Sequence, residues 1–228
     1  MTTTDGWNFE ALLEGAGTSP DVRGRLAEFA RRVLAANARF NLTGAESAGQ
    51  IAGHVLDSLS VASYVGHPYA DVGSGAGFPA VPLGIALSVP ITVIESNAKK
   101  AQFLDSLFAP LALDGHVVHD RAERAAHRTD LRERFRAVTC RALGPIATVA
   151  ELTVPLLALG GAAVLQRGAM EPTERASLQD AALILGARVE QEVRLEGARR
   201  IVILRKERQT PDRFPRRIGV PHKRPLCT

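Results

Sequence analysis

Apolar residues recur along this chain first at helical spacing and then in short continuous runs. From 21 to 40, Val22, Leu26, Phe29, Ala30, Val33 and Leu34 fall at i, i+4, i+7, i+8, i+11 and i+12, one face of an amphipathic helix. Ser19 precedes Pro20, an N-cap followed by proline at the first helical position. A second helix is predicted over 48–64, with Ile51, Val55, Leu59 and Ala62 on its buried side. His54, Asp57 and Ser58 then share another face of it.

From residue 69 the rhythm changes. Short β-rich runs at 69–72, 91–95, 116–120, 137–141 and 162–166 alternate with predicted helices at 79–88, 97–109, 122–133 and 145–158. This alternation predicts a parallel sheet with helices on both faces. A further helix at 172–185 is followed by runs at 188–195 and 200–205, joined by a short glycine-containing connection. These predict an antiparallel hairpin. The expected division is a helical extension (1–66), an α/β domain (67–207) and an irregular, exposed basic tail (208–228).

Composition sharpens this picture at a few points. Hydrophobic residues make up 46% and charged residues 23% of the 228, ordinary for a globular domain. No run approaches the ~20 apolar residues of a membrane span, and the start lacks a signal-peptide pattern. A cytoplasmic, monomeric protein without a membrane partner is therefore expected. Cys140 and Cys227 make no disulfide framework, and Cys140 should pack as a small hydrophobe. The six histidines lack metal-site spacing, so no metal is expected. Net charge is +4, but Arg194 onward carries +8 and the preceding residues −4. A basic end on an acidic body suits a polyanionic partner.

The strongest chemical signal is Asp71-Val72-Gly73-Ser74-Gly75-Ala76-Gly77-Phe78-Pro79, between the first strand and its helix. Glycines there permit a sharp turn and close approach of a ligand at the carboxyl edge of the sheet. A dinucleotide fingerprint would place a glycine where Phe78 stands, and no P-loop lysine follows. Phe78 offers instead a bulky apolar cover for an adenosine or methionine portion. Glu95 ends the second strand, twenty-two residues after Gly73, placed to accept ribose hydroxyls. Asp120, Arg121, Ala122 and Glu123 follow the third strand at the same edge. Together with the terminal hairpin, these features favour S-adenosylmethionine over NAD as the cofactor.

Taken together, these motifs resemble one family, the bacterial 16S ribosomal RNA guanine-N7 methyltransferases (RsmG, or glucose-inhibited division protein B). The resemblance runs through Asn41-Leu42-Thr43, His54 with Asp57-Ser58-Leu59, the glycine loop, Glu95-Ser96, Lys99-Lys100, Arg121-Ala122-Glu123, Cys140-Arg141-Ala142 and Lys223-Arg224-Pro225-Leu226. It implies a class I, Rossmann-like methyltransferase fold with seven strands and an N-terminal helical extension. It also implies methyl transfer from S-adenosylmethionine to N7 of one guanine in small-subunit rRNA. The family's cofactor contacts fall on Gly73, Phe78, Ala122, Glu123 and Arg141; Gly75 and Glu95 join them from the residue reading. Ala80, where a glycine is common, and Pro90 depart from the pattern without removing a contacting side chain.

Guanine N7 carries an in-plane lone pair and no proton, so alignment rather than acid–base chemistry should carry the reaction. Accordingly, no catalytic acid, base or nucleophile is assigned. His54, Asp57 and Ser58 are not placed for a hydrolytic triad. Their face is expected to border the cofactor mouth and to order Asn41 or the base. Candidate contacts to 16S rRNA or the small subunit are Asn41, His54, Asp57, Arg121, Arg216, Arg217 and Lys223, with Arg124, Lys99, Lys100 and Arg224 beside them. Few aromatics are available for stacking, so recognition by rRNA shape is expected. The competing readings are a methyltransferase for a small molecule or protein, an NAD-dependent oxidoreductase, and a nonenzymatic RNA-binding module.

Overall fold

The computed structural model describes residues 8–14 and 17–227. Short α1 (Phe9–Leu12) precedes α2 (Pro20–Phe40) and α3 (Ala48–Leu59). The Ser19 side chain accepts the Val22 N–H at the start of α2, with Pro20 in the first turn. The Ser47 side chain does the same for Gln50 at the start of α3. A separate 3-10 turn at Ala62–Tyr64 ends the segment that periodicity read as one helix to residue 64.

Seven strands follow: β1 (Tyr69–Val72), β2 (Ile91–Glu95), β3 (Gly115–His119), β4 (Phe135–Arg141), β5 (Leu157–Arg167), β6 (Ala187–Arg194) and β7 (Arg200–Lys206). They form one sheet in the order β3-β2-β1-β4-β5-β7-β6. The first five run parallel, whereas β7 pairs antiparallel with both β5 and β6. This is the predicted parallel sheet closed by a hairpin. Helices α4 (Ala80–Leu87), α5 (Ala98–Asp105), α6 (Ala122–Ala125), α7 (Ile146–Thr153) and α8 (Pro172–Leu185) connect the strands.

Each sheet face has its own core. On one, Phe9, Phe29, Ile51 and Val55 from the N-terminal helices meet Val81, Ile85 and Val93. On the other, Val72, Ile94, Val138 and Leu165 pack with Val149, Leu178 and Leu185. A run such as Tyr69–Val72, buried throughout, is apolar at nearly every position because both its faces are covered.

Other expectations change too: the helix predicted over 97–109 ends at Asp105, and the strand predicted over 162–166 spans Leu157–Arg167. The helix predicted over 122–133 is a single turn, because the polar residues 127–130 after it are exposed and give it no apolar face to bury. The helix predicted to 158 stops at Thr153, and Pro155 sits in a 3-10 turn before β5. The tail is exposed only in part and is anchored to the body of the fold from the end of β7 onward. Lys206, 1% exposed, donates to the Val154 carbonyl and lies 3.0 Å from Glu133. Phe214 is buried in the second core, and a short helix, α9 (Val220–Lys223), follows. Arg132 donates to the Thr210 and Phe214 carbonyls, so the tail is sewn down through backbone acceptors that composition does not reveal.

Candidate functional site

Strand register assembles the site. Val72 pairs with Ile94 on one side and Cys140 on the other, and Arg141 pairs with Gln166. The next residues therefore stand in a row at the carboxyl edge: Glu95, Gly73, Arg141 and Gln166. Residues this far apart in sequence meet because parallel strands end together, at the edge where open α/β sheets bind ligands.

The glycine loop is shaped by contacts that exclude side chains. Gly73 has φ +74°, and a Cβ there would lie 2.6 Å from the Leu143 side chain. Gly77 has φ +101°, and its Cβ would press on Val81 and the Phe29 ring. The Gly75 N–H donates to Glu95 Oε2 at 3.0 Å, and Asn97 N–H donates to Oε1 at 2.8 Å. Glu95 is 7% exposed, and its oxygens retain acceptor capacity beyond these two bonds.

Beneath the loop lies a buried polar chain that sequence reasoning did not single out. Asp71, 1% exposed, accepts hydrogen bonds from the Ser74 and Thr139 hydroxyls. Thr139 also bonds the Tyr69 hydroxyl at 2.6 Å. Burial raises the Asp71 pKa to about 7, against the two hydroxyls and Arg141, which favour its charge. The available signal was an acid inside an apolar strand.

A cavity of about 280 Å³ opens beside Gly73, lined by Ile94, Ser96, Ala122, Glu123, Leu143 and His222 among others. Gly73, Arg121, Ala122 and Glu123 are thus brought together as expected. Glu123 is 3% exposed; burial works to raise its pKa, but the Gly219 N–H and the Arg121 side chain outweigh it and the net shift is downward. His222 and Thr148 line the same cavity and were missed, since nothing in sequence joins the tail to it.

On the other side of the loop Phe78 is 4% exposed. Its ring, expected to cover a ligand, packs edge-on against Phe29 and His54, at 5.2 and 5.5 Å between centroids. The Arg141 guanidinium lies over it, 5.0 Å from the ring centre. Asp57 faces Arg141 at 3.4 Å and Arg199 at 3.0 Å, and Gln166 donates to its carboxylate and carbonyl. A second depression is lined by Asp57, Arg141, Gln166, Arg167, Arg199 and Arg200. His54 is half-buried, and burial, then Arg141, lower its pKa against Asp57. Ser58 donates to the His54 carbonyl and is fully buried, so the three residues form no triad.

Other candidates lie apart. Asn41 is the left-handed C-cap of α2 and lines a shallow depression with Asn37 and Thr43, not the cavity at Gly73. Arg216 is engaged within the fold: its fork is bidentate to Glu151, which is fully buried, and its Nη2 also donates to the Arg224 carbonyl. Arg217 and Lys223 are exposed and carry no side-chain hydrogen bond or ion pair among the described residues. Arg121 is engaged with Glu123, and Arg124 with Asp120.

A family model described as rRNA small subunit methyltransferase G matches residues 23–203. The chain belongs to this family. It is 40% identical to a ribosomal RNA small subunit methyltransferase G of Rubrobacter xylanophilus, over 97% of this chain and 88% of the relative. A protein of the same name from Chloroflexus aggregans is also 40% identical, over 83% of this chain and 84% of its own length. Among solved structures, a branched-chain polyamine synthase from Thermus thermophilus shares the fold: TM-score 0.55 and 12% identity, covering 85% of this chain and 70% of that one. A family member of this kind is a methyltransferase, and the oxidoreductase and nonenzymatic readings fall away.

Proposed function

We infer that this enzyme transfers the methyl group of S-adenosylmethionine to N7 of a guanine in 16S rRNA. The observation that carries the reading is the convergence of Gly73, Glu95, Glu123 and Arg141 at one sheet edge, in a chain whose relatives are named for small-subunit rRNA methylation. The residues present fit this cofactor. Gly73 presents backbone and no side chain to the cavity, Ala122 leaves room for a flat base, and two carboxylates suit ribose hydroxyls and a cation. When bound, the cofactor supplies an electrophilic methyl group on a sulfonium.

This chain's own residues have the task of alignment. The guanine N7 lone pair needs no base to deprotonate it. Asp57 holds Arg141 and Arg199 by opposite charge, and Phe78 supports the Arg141 plane from below. A fixed guanidinium at that edge can orient either the acceptor base or a phosphate beside it. Contacts to rRNA phosphates fall to Lys99, Arg217, Lys223 and Arg224, which are exposed and whose side chains are unpaired among the described residues.

Purified small subunits and naked rRNA should be incubated with methyl-labelled cofactor and the modified base mapped. Label at N7 of a single 16S guanine is expected. Absence of label from RNA in both substrates would overturn the reading. Calorimetry is expected to show binding of S-adenosylmethionine and none of NAD.

A further inference from the structure

The C-terminal segment is held beside the cavity by bonds to α6, to the turn after it and to α7. Arg216 is bidentate to the fully buried Glu151 of α7, and its backbone N–H donates to the same carboxylate at 2.7 Å. The Pro215 carbonyl lies 2.8 Å from His127 Nε2. Thr148, which lines the cavity, donates to the Pro221 carbonyl at 2.7 Å. Glu123, also on the lining, accepts the Gly219 N–H at 2.9 Å. Through these bonds His222 reaches the cavity mouth, where its ring stands 3.5 Å from where a Cβ on Gly144 would be.

We propose that residues 214–224 are a strap forming one wall of the cofactor cavity, and that the His222 ring packs on the adenine of the bound cofactor. The cavity's larger aliphatic lining residues, Val72, Ile94, Leu143 and Leu152, offer no other aromatic plane. A flat heteroaromatic base gains most from a flat ring laid against it. The strap also closes round Glu123: the same carboxylate that faces the cavity is held by Gly219 of the strap and by Arg121. Displacing the strap would thus free both His222 and one tie on Glu123. This proposal rests on assigning the cavity to the cofactor.

Calorimetry with S-adenosylhomocysteine on the full-length enzyme tests it. His222→Ala should weaken binding about tenfold, the worth of one aromatic contact, and His222→Phe should restore most of it. His222 is exposed, so the melting temperature of either variant should stay within about 2 °C of the parent. Amide exchange of residues 216–224 should slow when S-adenosylhomocysteine is added. Ala122→Leu, which fills the cavity from another wall, should abolish binding. If Ala122→Leu binds normally, the cavity is not the cofactor's and the functional reading of it fails. If Ala122→Leu abolishes binding but His222→Ala binds like the parent, or strap exchange is unaltered, the strap proposal alone is overturned.

Discussion

Arg141 lies with its guanidinium 5.0 Å from the centre of the Phe78 ring, joining the residue after the fourth strand's last apolar position to the end of the glycine loop. Asp57 adds a charge partner from the N-terminal helices. The three together tie the helical extension to the carboxyl edge of the sheet. Arg141→Lys keeps the charge and loses the flat fork. Methyl transfer in single-turnover assays should fall at least tenfold, an order-of-magnitude expectation for lost alignment. Stability in urea should change by no more than about 1.5 kcal/mol. An unchanged rate would show that only the charge matters.

Gly73→Ala meets two obstacles, a φ of +74° and a Cβ that would stand 2.6 Å from Leu143. The left-handed conformation alone costs about 1 kcal/mol for a side-chain residue, and the collision adds to it. The variant should lose roughly 1–3 kcal/mol of stability and bind S-adenosylhomocysteine at least tenfold more weakly, by urea unfolding and calorimetry. Parent-like values in both would mean that Leu143 yields freely.

Asp71 should make stability depend on pH. Its folded pKa, about 7, stands above the ordinary carboxylate value, so the folded state holds a proton that the unfolded chain has released. Its contribution is fully present below about pH 4 and is lost as pH rises through 7. Relative to Asp71→Asn, the parent should lose up to roughly 1.4 kcal/mol per pH unit across that window. Urea unfolding of both proteins between pH 4 and 8 measures the difference. A difference that does not vary with pH would mean that the buried carboxyl titrates normally.

Arg216 and Arg217 are neighbours in sequence with opposite fates. Arg216→Ala leaves the fully buried Glu151 charge without its partner and should cost about 3 kcal/mol. Arg217→Ala, on the exposed side, should stay within about 0.5 kcal/mol. Thermal and urea unfolding separate the two; rRNA methylation by Arg217→Ala, Lys223→Ala and Arg224→Ala combined should weaken through KM for rRNA. If Arg216→Ala is as stable as the parent, its pairing with Glu151 is not structural.

Local pattern was a good guide where one physical signal dominated. The edges of β1, β2 and α8 were legible because apolar runs, caps and prolines agree there. The hairpin was legible from two runs and a short turn. Residues 122–133 misled because isolated helix-forming residues do not make a helix without a buried face. Phe78 was rightly marked as unusual, but which way its ring turns depended on Phe29 and His54, far away in sequence.

The tail shows the division most clearly. The eleven basic residues from Arg194 onward, hairpin and tail together, read as a block for a polyanion, since composition counts charges and not partners. In the folded chain Arg205, Lys206 and Arg216 face Glu190, Glu133 and Glu151. By itself the sequence determined the alternating α/β order, the glycine turn and the acids that follow β2 and β3, because each depends on neighbours a few residues away. Only the tertiary structure decided which charges remain free, that Arg141 and Asp57 meet, and that His222 reaches the cavity. Those outcomes depend on parallel strands ending together and on burial, which removes water from some charges and leaves it to others.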